Sequence, residues 1–322
     1  MDYNGLTNKI CKGIFCLYKQ KGVNEMVKLA KIISTIILII LIGFIGKYIY
    51  ENKYIKIQNG YSNENLKNDE NNNKKSEEIT DEKENIKEKE KEKENYINID
   101  KSLVRIPILM YHSISDSDPN NSLLVPVKQF EEEVKWLKEN GFTPMLLDDV
   151  VKAYESGDVP KKPVAITFDD GYADNYSEAY RILKENNMKG TFFIITNNTD
   201  IDSYYMNSSM LKEMNHNGMG IENHTSRHIE FSNICREDKI AIIEEGRKAL
   251  KEKVGVDSNF ICYPVGKYDE ETIEVEKELG IKAAVTTEYG ISSISDGLHS
   301  LKRIRIFPMN IDSFKETFIE FM

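Results

Sequence analysis

The sequence AITFDDGYADN, residues 165–175, contains an apolar run that ends in two adjacent acidic side chains. Residues 165–168 have the pattern of a buried strand, and Asp169, Asp170 and Gly171 follow at its carboxyl end. Adjacent carboxylates are unusual in a protein interior because buried charges need partners or a metal ion. A turn that caps the following helix also favours Asp-Asp-Gly, so the motif alone leaves both interpretations open.

Apolar runs alternate with segments of helical periodicity from residue 102 onward. The predicted strands are 105–110, 143–147, 164–168, 191–195, 220–223, 260–263, 283–286 and 303–307. The predicted helices are 127–140, 175–187, 208–217, 234–253 and 270–279. This alternation predicts an α/β fold with a parallel sheet, most simply a (β/α) barrel. In such barrels the active-site residues follow the carboxyl ends of the strands.

A second motif, IENHTSRH at residues 221–228, follows another predicted strand and holds two of the five histidines. The spacing of His224 and His228 lets both imidazoles converge on one ion, although a chance pair of surface histidines is the alternative. Two histidines and one carboxylate supply three protein ligands and leave positions open. That pattern is typical of a catalytic rather than a structural metal site.

The combination of TFDDG and H-T-x-x-H resembles the polysaccharide deacetylase family, the NodB-homology group of carbohydrate esterase family 4. The resemblance covers about residues 104–322 and implies a barrel of the NodB-homology type. It implies that Asp170, His224 and His228 bind a divalent metal, usually zinc, and that Asp169 is the catalytic base. The implied reaction is metal-assisted hydrolysis of an acetamide.

The third motif, FICYPVG at residues 260–266, departs from the family pattern Arg-x-Pro-Tyr/Phe-Gly. Pro264 and Gly266 match, whereas Cys262 occupies the arginine position and Val265 replaces the aromatic residue. In the family the backbone N–H after the proline helps to hold the oxyanion. Val265 can provide it because a main-chain donor needs no particular side chain.

Two further family residues are absent, and the sequence offers substitutes for both. The missing arginine normally orients the base, so Arg303 or Arg305 is a candidate, with pairing to surface acids as the alternative. The late Leu-x-His that supplies the catalytic acid is also missing. His112, in IPILMYHSIS, resembles the acid of the poly-N-acetylglucosamine deacetylase-like branch, and a structural histidine is the alternative. Gly and Glu are exchanged before His224, where Glu222 stands, which leaves the metal ligands in place.

The N-terminal region contains an uncharged apolar run, IISTIILIILIGFIG, at residues 32–46. With its neighbours it predicts a transmembrane signal anchor over residues 28–50, since about 20 apolar residues span a bilayer. Lysines dominate the preceding segment 1–27, which predicts a cytoplasmic N-terminus and an exported remainder. A cleaved signal peptide or a buried core helix is the alternative interpretation.

Residues 51–101 are rich in Glu, Lys and Asn, and such a composition predicts a disordered linker. The catalytic domain is then expected to occupy residues 102–322. The net charge of −10 disfavours nucleic acid as a partner. Four scattered cysteines are too few for a disulfide framework or a thiolate zinc site.

Together these features predict an extracellular, single-pass membrane-anchored deacetylase that removes N-acetyl groups from a cell-surface polysaccharide containing N-acetylglucosamine. The expected cofactor is Zn²⁺, and the expected partners are the polysaccharide and the membrane. An O-acetyl esterase and a catalytically inactive glycan-binding module are the alternatives. The complete set of two Asp and two His residues argues against the inactive module. The particular polysaccharide does not follow from the sequence, because specificity in this fold lies in loops.

Overall fold

A computed structural model of the protein describes residues 95–322. The strands are β1 Tyr96–Asn98, β2 Arg105–Ile106, β3 Ile108–Tyr111, β4 Ser113–Ile114, β5 Leu124–Val125, β6 Thr143–Met145, β7 Asp158–Pro160, β8 Pro163–Phe168, β9 Thr191–Ile194, β10 Gly220–Asn223, β11 Phe260–Cys262, β12 Ala283–Tyr289, β13 Ser292–Ser293 and β14 Leu301–Arg305. The α-helices are α1 Val127–Glu139, α2 Leu147–Ser156, α3 Arg181–Glu185, α4 Ser208–His216, α5 Arg236–Lys253, α6 Glu270–Glu278 and α7 Ile311–Glu316. A π-helical segment, Asn175–Tyr180, leads directly into α3.

Seven of these strands form a closed parallel barrel. Their order is β3-β14-β12-β11-β10-β9-β8, and β8 pairs back with β3. In the register of this closure, Leu109 of β3 lies opposite Ile304 on one side and Ile166 on the other. The strand β6 pairs in parallel with the first half of β8. The structure therefore confirms the predicted α/β fold and its (β/α) barrel.

Alternate residues of each barrel strand belong to different parts of the core, because successive strand side chains point to opposite faces. One set packs inside the barrel and against α2: Ile108, Ala165, Phe193, Phe260, Cys262, Val285 and Leu301. The other set packs against the surrounding helices: Leu109, Ile166, Phe192, Ile261, Ala284 and Ile304. This alternation determines which side chains at the strand ends point into the barrel.

Two helices were not predicted. The apolar run 143–147 was taken as one strand, but β6 ends at Met145 and α2 begins at Leu147. Asp149 Oδ accepts a hydrogen bond from Leu146 N at 3.2 Å, which caps the start of α2. The other helix, α7, is six residues long, too short for a clear periodic pattern.

The predicted linker boundary at residue 101 is wrong, because the folded domain includes residues before it. The strand β1 pairs antiparallel with β7. Ile99 N donates to Gly157 O at 3.0 Å, and Asn98 Nδ2 donates to Asp158 Oδ1 at 2.6 Å. The edge of β7 offers free backbone groups, which a neighbouring extended segment can satisfy despite its polar composition.

Within residues 95–322 no helix has the length and apolar character needed to cross a membrane. The predicted anchor over residues 28–50, the segment 1–27 and most of the predicted linker lie outside the described residues.

Candidate active site

The barrel brings the predicted site residues together at the carboxyl ends of its strands. His112 follows β3, Asp169 follows β8, His224 follows β10, and Arg303 lies near the end of β14. Each continues the inward-facing alternation of its own strand. Side chains that are far apart in the sequence therefore meet at the end where barrels of this type carry their active sites.

Asp170, His224 and His228 form a compact set of three candidate metal ligands. Asp170 Oδ1 lies 3.3 Å from Nε2 of His224 and 3.5 Å from Nε2 of His228. The ligand atoms of all three residues lie within 4.8 Å of one another. His224 is buried, whereas the side chain of His228 is 37% exposed, which leaves one side of the set open to solvent.

The hydrogen bond of His224 indicates that its Nε2 atom is available to a metal. His224 Nδ1 lies 2.8 Å from Cys262 O. A carbonyl oxygen can only accept, so Nδ1 carries a hydrogen, and in the neutral imidazole Nε2 keeps the lone pair that a metal binds, as in many metal sites. One carboxylate and two imidazoles are a donor set that suits a divalent metal such as zinc. The residues present therefore fit the implied cofactor.

Asp169, His224 and Cys262 form a second group with metal-ligating atoms in close proximity. Two observations make it the weaker candidate. Burial raises the pKa of the Cys262 thiol, whereas metals bind the thiolate. In addition, both carboxylate oxygens of Asp169 are already engaged by an arginine. The set that contains Asp170 is therefore the better metal site.

Asp169 and Arg303 form a bidentate ion pair inside the barrel. Arg303 donates from two nitrogens to the two Asp169 oxygens at 2.8 and 2.7 Å. Arg303 is fully buried and also donates to Thr286 O at 2.8 Å and to Thr167 Oγ1 at 3.0 Å. Burial raises the pKa of Asp169, but the neighbouring Arg303 outweighs burial and holds that pKa well below its usual value. Asp169 is therefore an ionised carboxylate in a fixed orientation.

Only one of the two predicted arginines contacts Asp169. The two arginines lie on the same face of β14, but Arg303 is fully buried beside Asp169, whereas Arg305 is exposed at the end of the strand. The prediction that Arg305 orients the base is therefore wrong. Arg303 lies on a different strand from the third motif and takes the place of the arginine that this motif lacks. Its Nη2 atom lies 3.2 Å from Cys262 Sγ. The Cys262 thiol in turn lies 3.4 Å from Asp169 Oδ2.

His112 faces the same group of charges. Tyr111 of β3 pairs with Phe168 of β8, so His112 and Asp169 follow neighbouring strands at the same end of the barrel. Burial lowers the pKa of His112, while Asp169 and Asp170 act in the opposite direction. The chain after His112 is held in place by Asp174. Its carboxylate accepts from Ser113 Oγ at 2.6 Å and from Ile114 N at 3.2 Å.

Val265 lies in the short turn after β11, with an exposed side chain and a φ of 57°. The turn is supported by Tyr263, whose hydroxyl contacts Glu276 Oε2 at 2.8 Å and His299 O at 2.9 Å. His299 Nδ1 lies 2.7 Å from the same Glu276 oxygen. This buried network is not apparent from the sequence, because its members lie on three separate segments.

Strained backbone is concentrated at this end of the barrel. The non-glycine residues with positive φ include Asp170, Thr225, His228 and Val265. Each such conformation is unfavourable for an ordinary side chain and persists only where the surrounding structure imposes it. In the two predicted metal-binding loops and the third motif, the surrounding structure therefore imposes backbone conformations that are locally unfavourable.

Glu222, the residue exchanged with glycine in the second motif, lies away from the metal ligands. Its carboxylate accepts hydrogen bonds from Ser258 Oγ at 2.6 Å, Asn259 N at 3.0 Å and Phe260 N at 3.1 Å. These bonds tie β10 to the start of β11. The exchanged residue therefore holds two neighbouring strands together below the site and leaves His224 in position.

The chain is similar to known proteins in both sequence and structure. The family profile described as Polysaccharide deacetylase matches residues 156–284. YxkH of Bacillus subtilis (strain 168), a protein assigned to the polysaccharide deacetylases, is 36% identical over 219 residues, which cover 68% of this chain and 77% of YxkH. A poly-beta-1,6-N-acetyl-D-glucosamine N-deacetylase of Staphylococcus aureus is 27% identical over 210 residues, covering 60% of this chain and 71% of that protein.

Among solved structures, the Streptococcus pyogenes deacetylase PplD in complex with acetate is similar in both fold and sequence. The TM-score is 0.64 with 33% identity, and the alignment covers 66% of this chain and 98% of PplD. The fold and the site define a barrel hydrolase with a candidate Asp-His-His metal centre. The extent of similarity makes the family plain: the chain belongs to the polysaccharide deacetylases, hydrolases that act on carbon–nitrogen bonds.

Proposed function

We propose that the protein is a zinc-dependent N-deacetylase of a cell-surface polysaccharide that contains N-acetylglucosamine. The observation that carries this proposal is the presence of two adjacent carboxylates with separate partners. Asp170 lies beside two imidazoles, whereas Asp169 is held by Arg303. One carboxylate is therefore free to bind a metal and the other to accept a proton.

The proposed residue roles follow from these positions. A bound metal would be held by Asp170, His224 and His228, where it would polarise the acetyl carbonyl and lower the pKa of water. Asp169 takes a proton from the attacking water, and Arg303 keeps its carboxylate ionised and oriented. The scissile bond is the C–N bond, and the products are acetate and a free amine.

Two further groups complete the proposed mechanism. His112 donates a proton to the departing amine nitrogen, for which its position at the end of β3, next to the end of β8 that carries Asp169, is suitable. The backbone N–H of Val265 donates to the carbonyl oxygen as negative charge develops there. An exposed side chain at Val265 is consistent with a role of its main chain alone.

Two relatives support the choice of substrate. The Staphylococcus aureus protein is named as an N-deacetylase of poly-beta-1,6-N-acetyl-D-glucosamine, and PplD was solved with acetate, the small product expected here. We extend these activities to the present chain as a proposal. The apolar run 32–46 supports the further proposal that this activity is anchored at the cell membrane with the catalytic domain outside.

The proposed function is tested by metal analysis and acetate release. The purified protein should contain about one divalent metal per chain and release acetate from N-acetylglucosamine polymers, and a chelator should abolish this activity. A panel should include peptidoglycan, poly-N-acetylglucosamine and O-acetylated wall glycans. Acetate release only from O-acetyl groups would identify an esterase. Metal binding without acetate release from any substrate would contradict the catalytic proposal.

The two neighbouring carboxylates supply a matched pair of variants. Asp169→Asn should lose turnover and retain metal, whereas Asp170→Asn should lose metal as well, because only Asp170 lies beside the two imidazoles. Loss of metal in Asp169→Asn with retention in Asp170→Asn would show that the two roles are reversed. Membrane association is tested separately, by fractionation and by the access of external protease to the catalytic domain in intact cells.

A further inference from the structure

Three tyrosines form an aromatic cluster beside Asp170. The ring of Tyr172 stacks on Tyr205, with centroids 5.7 Å apart and planes within 19°. The ring of Tyr204 packs edge-on against both, at 5.3 Å from Tyr172 and 5.1 Å from Tyr205. The cluster extends from the candidate active site to solvent, since Tyr172 lies in the loop that carries Asp170 and Tyr204 is 63% exposed.

The backbone holds this cluster rigidly to the loop that carries Asp170. Tyr172 and Tyr205 form an antiparallel bridge. Ala173 N donates to Tyr204 O at 2.9 Å, and Met206 N donates to Gly171 O at 3.0 Å. The side chain of Met206 is 1% exposed and anchors the segment in the core. The rings are therefore held in place before any ligand arrives, which lowers the entropy lost on binding.

The exposure of such a cluster needs an explanation other than packing. The side chains of Tyr172 and Tyr205 are half-buried at the barrel surface, whereas that of Tyr204 is largely exposed. An aromatic face is attractive to C–H groups because its π system is electron-rich, and the phenol tip bonds to hydroxyl groups. A pyranose ring offers both, with C–H groups on its faces and hydroxyls at its edge.

We propose that Tyr172, Tyr204 and Tyr205 form a sugar-stacking platform for the polysaccharide unit next to the one that loses its acetyl group. This inference rests on the proposed function and assigns to it a subsite for chain recognition. Tyr172 follows Asp170 by two residues in the loop after β8, which places the inner end of the platform at the reaction centre. The exposed Tyr204 lies one ring further out and stacks on the neighbouring sugar.

The test compares Tyr204→Ala with the unmodified full chain. We expect KM for an N-acetylglucosamine oligomer to rise about tenfold, with kcat little changed, which corresponds to about 1.4 kcal/mol. Turnover of 4-nitrophenyl acetate should stay the same, because this ester is too small to reach the platform. Tyr204→Phe should keep most of the affinity. Tyr289→Ala is the matched control, since Tyr289 is 75% exposed at the same end of the barrel.

Binding is measured independently of turnover by calorimetry in the Asp169→Asn background. There Tyr204→Ala should weaken oligomer binding about tenfold, and Tyr289→Ala should leave it unchanged. Unchanged KM and affinity in Tyr204→Ala would overturn the platform. An equal loss of activity on the oligomer and on 4-nitrophenyl acetate would also overturn it, by showing that Tyr204 supports the reaction centre. Weakened binding in a protein that releases no acetate would keep the platform and contradict only the proposed function.

Discussion

Arg303 and Asp169 form a charged pair in the interior of the barrel, 0% and 4% exposed in their side chains. A pair of this kind is sensitive to the loss of one partner, because the remaining charge stays buried without compensation. Its contribution here is orientation, since the planar guanidinium binds both oxygens of the carboxylate, and three further contacts, to Thr286, Thr167 and Cys262, fix the guanidinium.

The pair predicts a non-additive effect on stability. Arg303→Met should lower the free energy of unfolding by about 3–5 kcal/mol, because it leaves the Asp169 carboxylate unpaired. The double variant with Asp169→Asn should recover much of this loss, as no buried charge remains. Urea unfolding of both single variants and the double variant measures the coupling. Arg305→Met, at the exposed position two residues later, is the control and should change little. Additive losses would show that the two side chains act independently.

His112 predicts a dependence on the leaving group. His112→Ala should lower kcat for an acetamide substrate by about a factor of 10²–10⁴, because the departing amine needs a proton. The same variant should hydrolyse 4-nitrophenyl acetate at nearly the unmodified rate, since nitrophenolate leaves without protonation. Steady-state kinetics on both substrates measures this contrast. His216→Ala, at an exposed position near the end of α4, is the control. Equal losses on amide and ester would rule out His112 as the acid.

The helix α1 carries a buried carboxylate that ties it to the barrel. Glu133 accepts from Tyr111 Oη of β3 at 2.8 Å and from Gln129 Nε2 at 2.8 Å. Gln129 also contacts the chain after β14, where its Nε2 donates to Phe307 O at 3.1 Å. Burial raises the pKa of Glu133 to about 7, against the partly opposing hydrogen bonds. The polar contacts that dock α1 therefore include a group that titrates near neutral pH.

This raised pKa predicts that stability falls as pH rises. Between about pH 4.5 and about pH 7 the folded state keeps the Glu133 proton that the unfolded state has lost, so deprotonation favours unfolding. The loss amounts to about 3 kcal/mol. Glu133→Gln should remove this part of the slope and be more stable than the unmodified protein at pH 8, as measured by urea unfolding at several pH values. Glu132→Gln, an exposed neighbour on α1, is the control. An unchanged slope in Glu133→Gln would contradict the prediction.

The sequence predicted some elements better than others for local reasons. The helix α1 has apolar residues at regular helical spacing, so its position was predicted within one residue. The helix α2 follows β6 after a single residue, and the shared apolar run conceals the change from strand to helix. Residues 175–180 have a π-helical rather than an α-helical backbone, a distinction that apolar spacing does not encode.

At the level of the whole domain, β1 closes the edge beside β7 and extends the fold beyond the predicted boundary. Three backbone positions pair between the strands, and Lys161 N donates to Asn95 O at 2.8 Å. These contacts are distant from the carboxyl ends of the barrel strands. We therefore expect them to stabilise the domain and to have no part in its chemistry.

A comparison of two chain lengths tests this assignment. A protein that starts at residue 102 should have a free energy of unfolding about 1–2 kcal/mol lower than one that starts at residue 95, because the edge hydrogen bonds are lost. Both should have the same kcat/KM for an acetylated oligomer. Thermal or urea unfolding and acetate release measure the two properties. A loss of activity in the shorter chain under conditions where it is fully folded would show that residues 95–101 affect the site.

The proximity of Asp170, His224 and His228 was predictable because each motif is local. Asp169 and Asp170 follow one strand, His224 and His228 follow another, and parallel strands in a barrel present their carboxyl ends at one face. Apolar alternation along the chain was sufficient to predict both the strands and the barrel. The same reasoning placed His112 directly after β3, whereas its role as the acid was implied by the family resemblance and stays a prediction.

The partner of Asp169 was decided by the tertiary structure. The sequence contains two candidate partners, Arg303 and Arg305, two residues apart on one strand, and the local pattern did not distinguish between them. Arg303 contacts Asp169 across 134 positions of the chain because β14 closes the barrel beside β3 in one particular register. The tyrosine platform has the same origin, since Tyr204 reaches Tyr172 only through the pairing of two loops. Contacts of this kind depend on how distant strands and loops pair in the folded domain, and no short stretch of sequence contains that information.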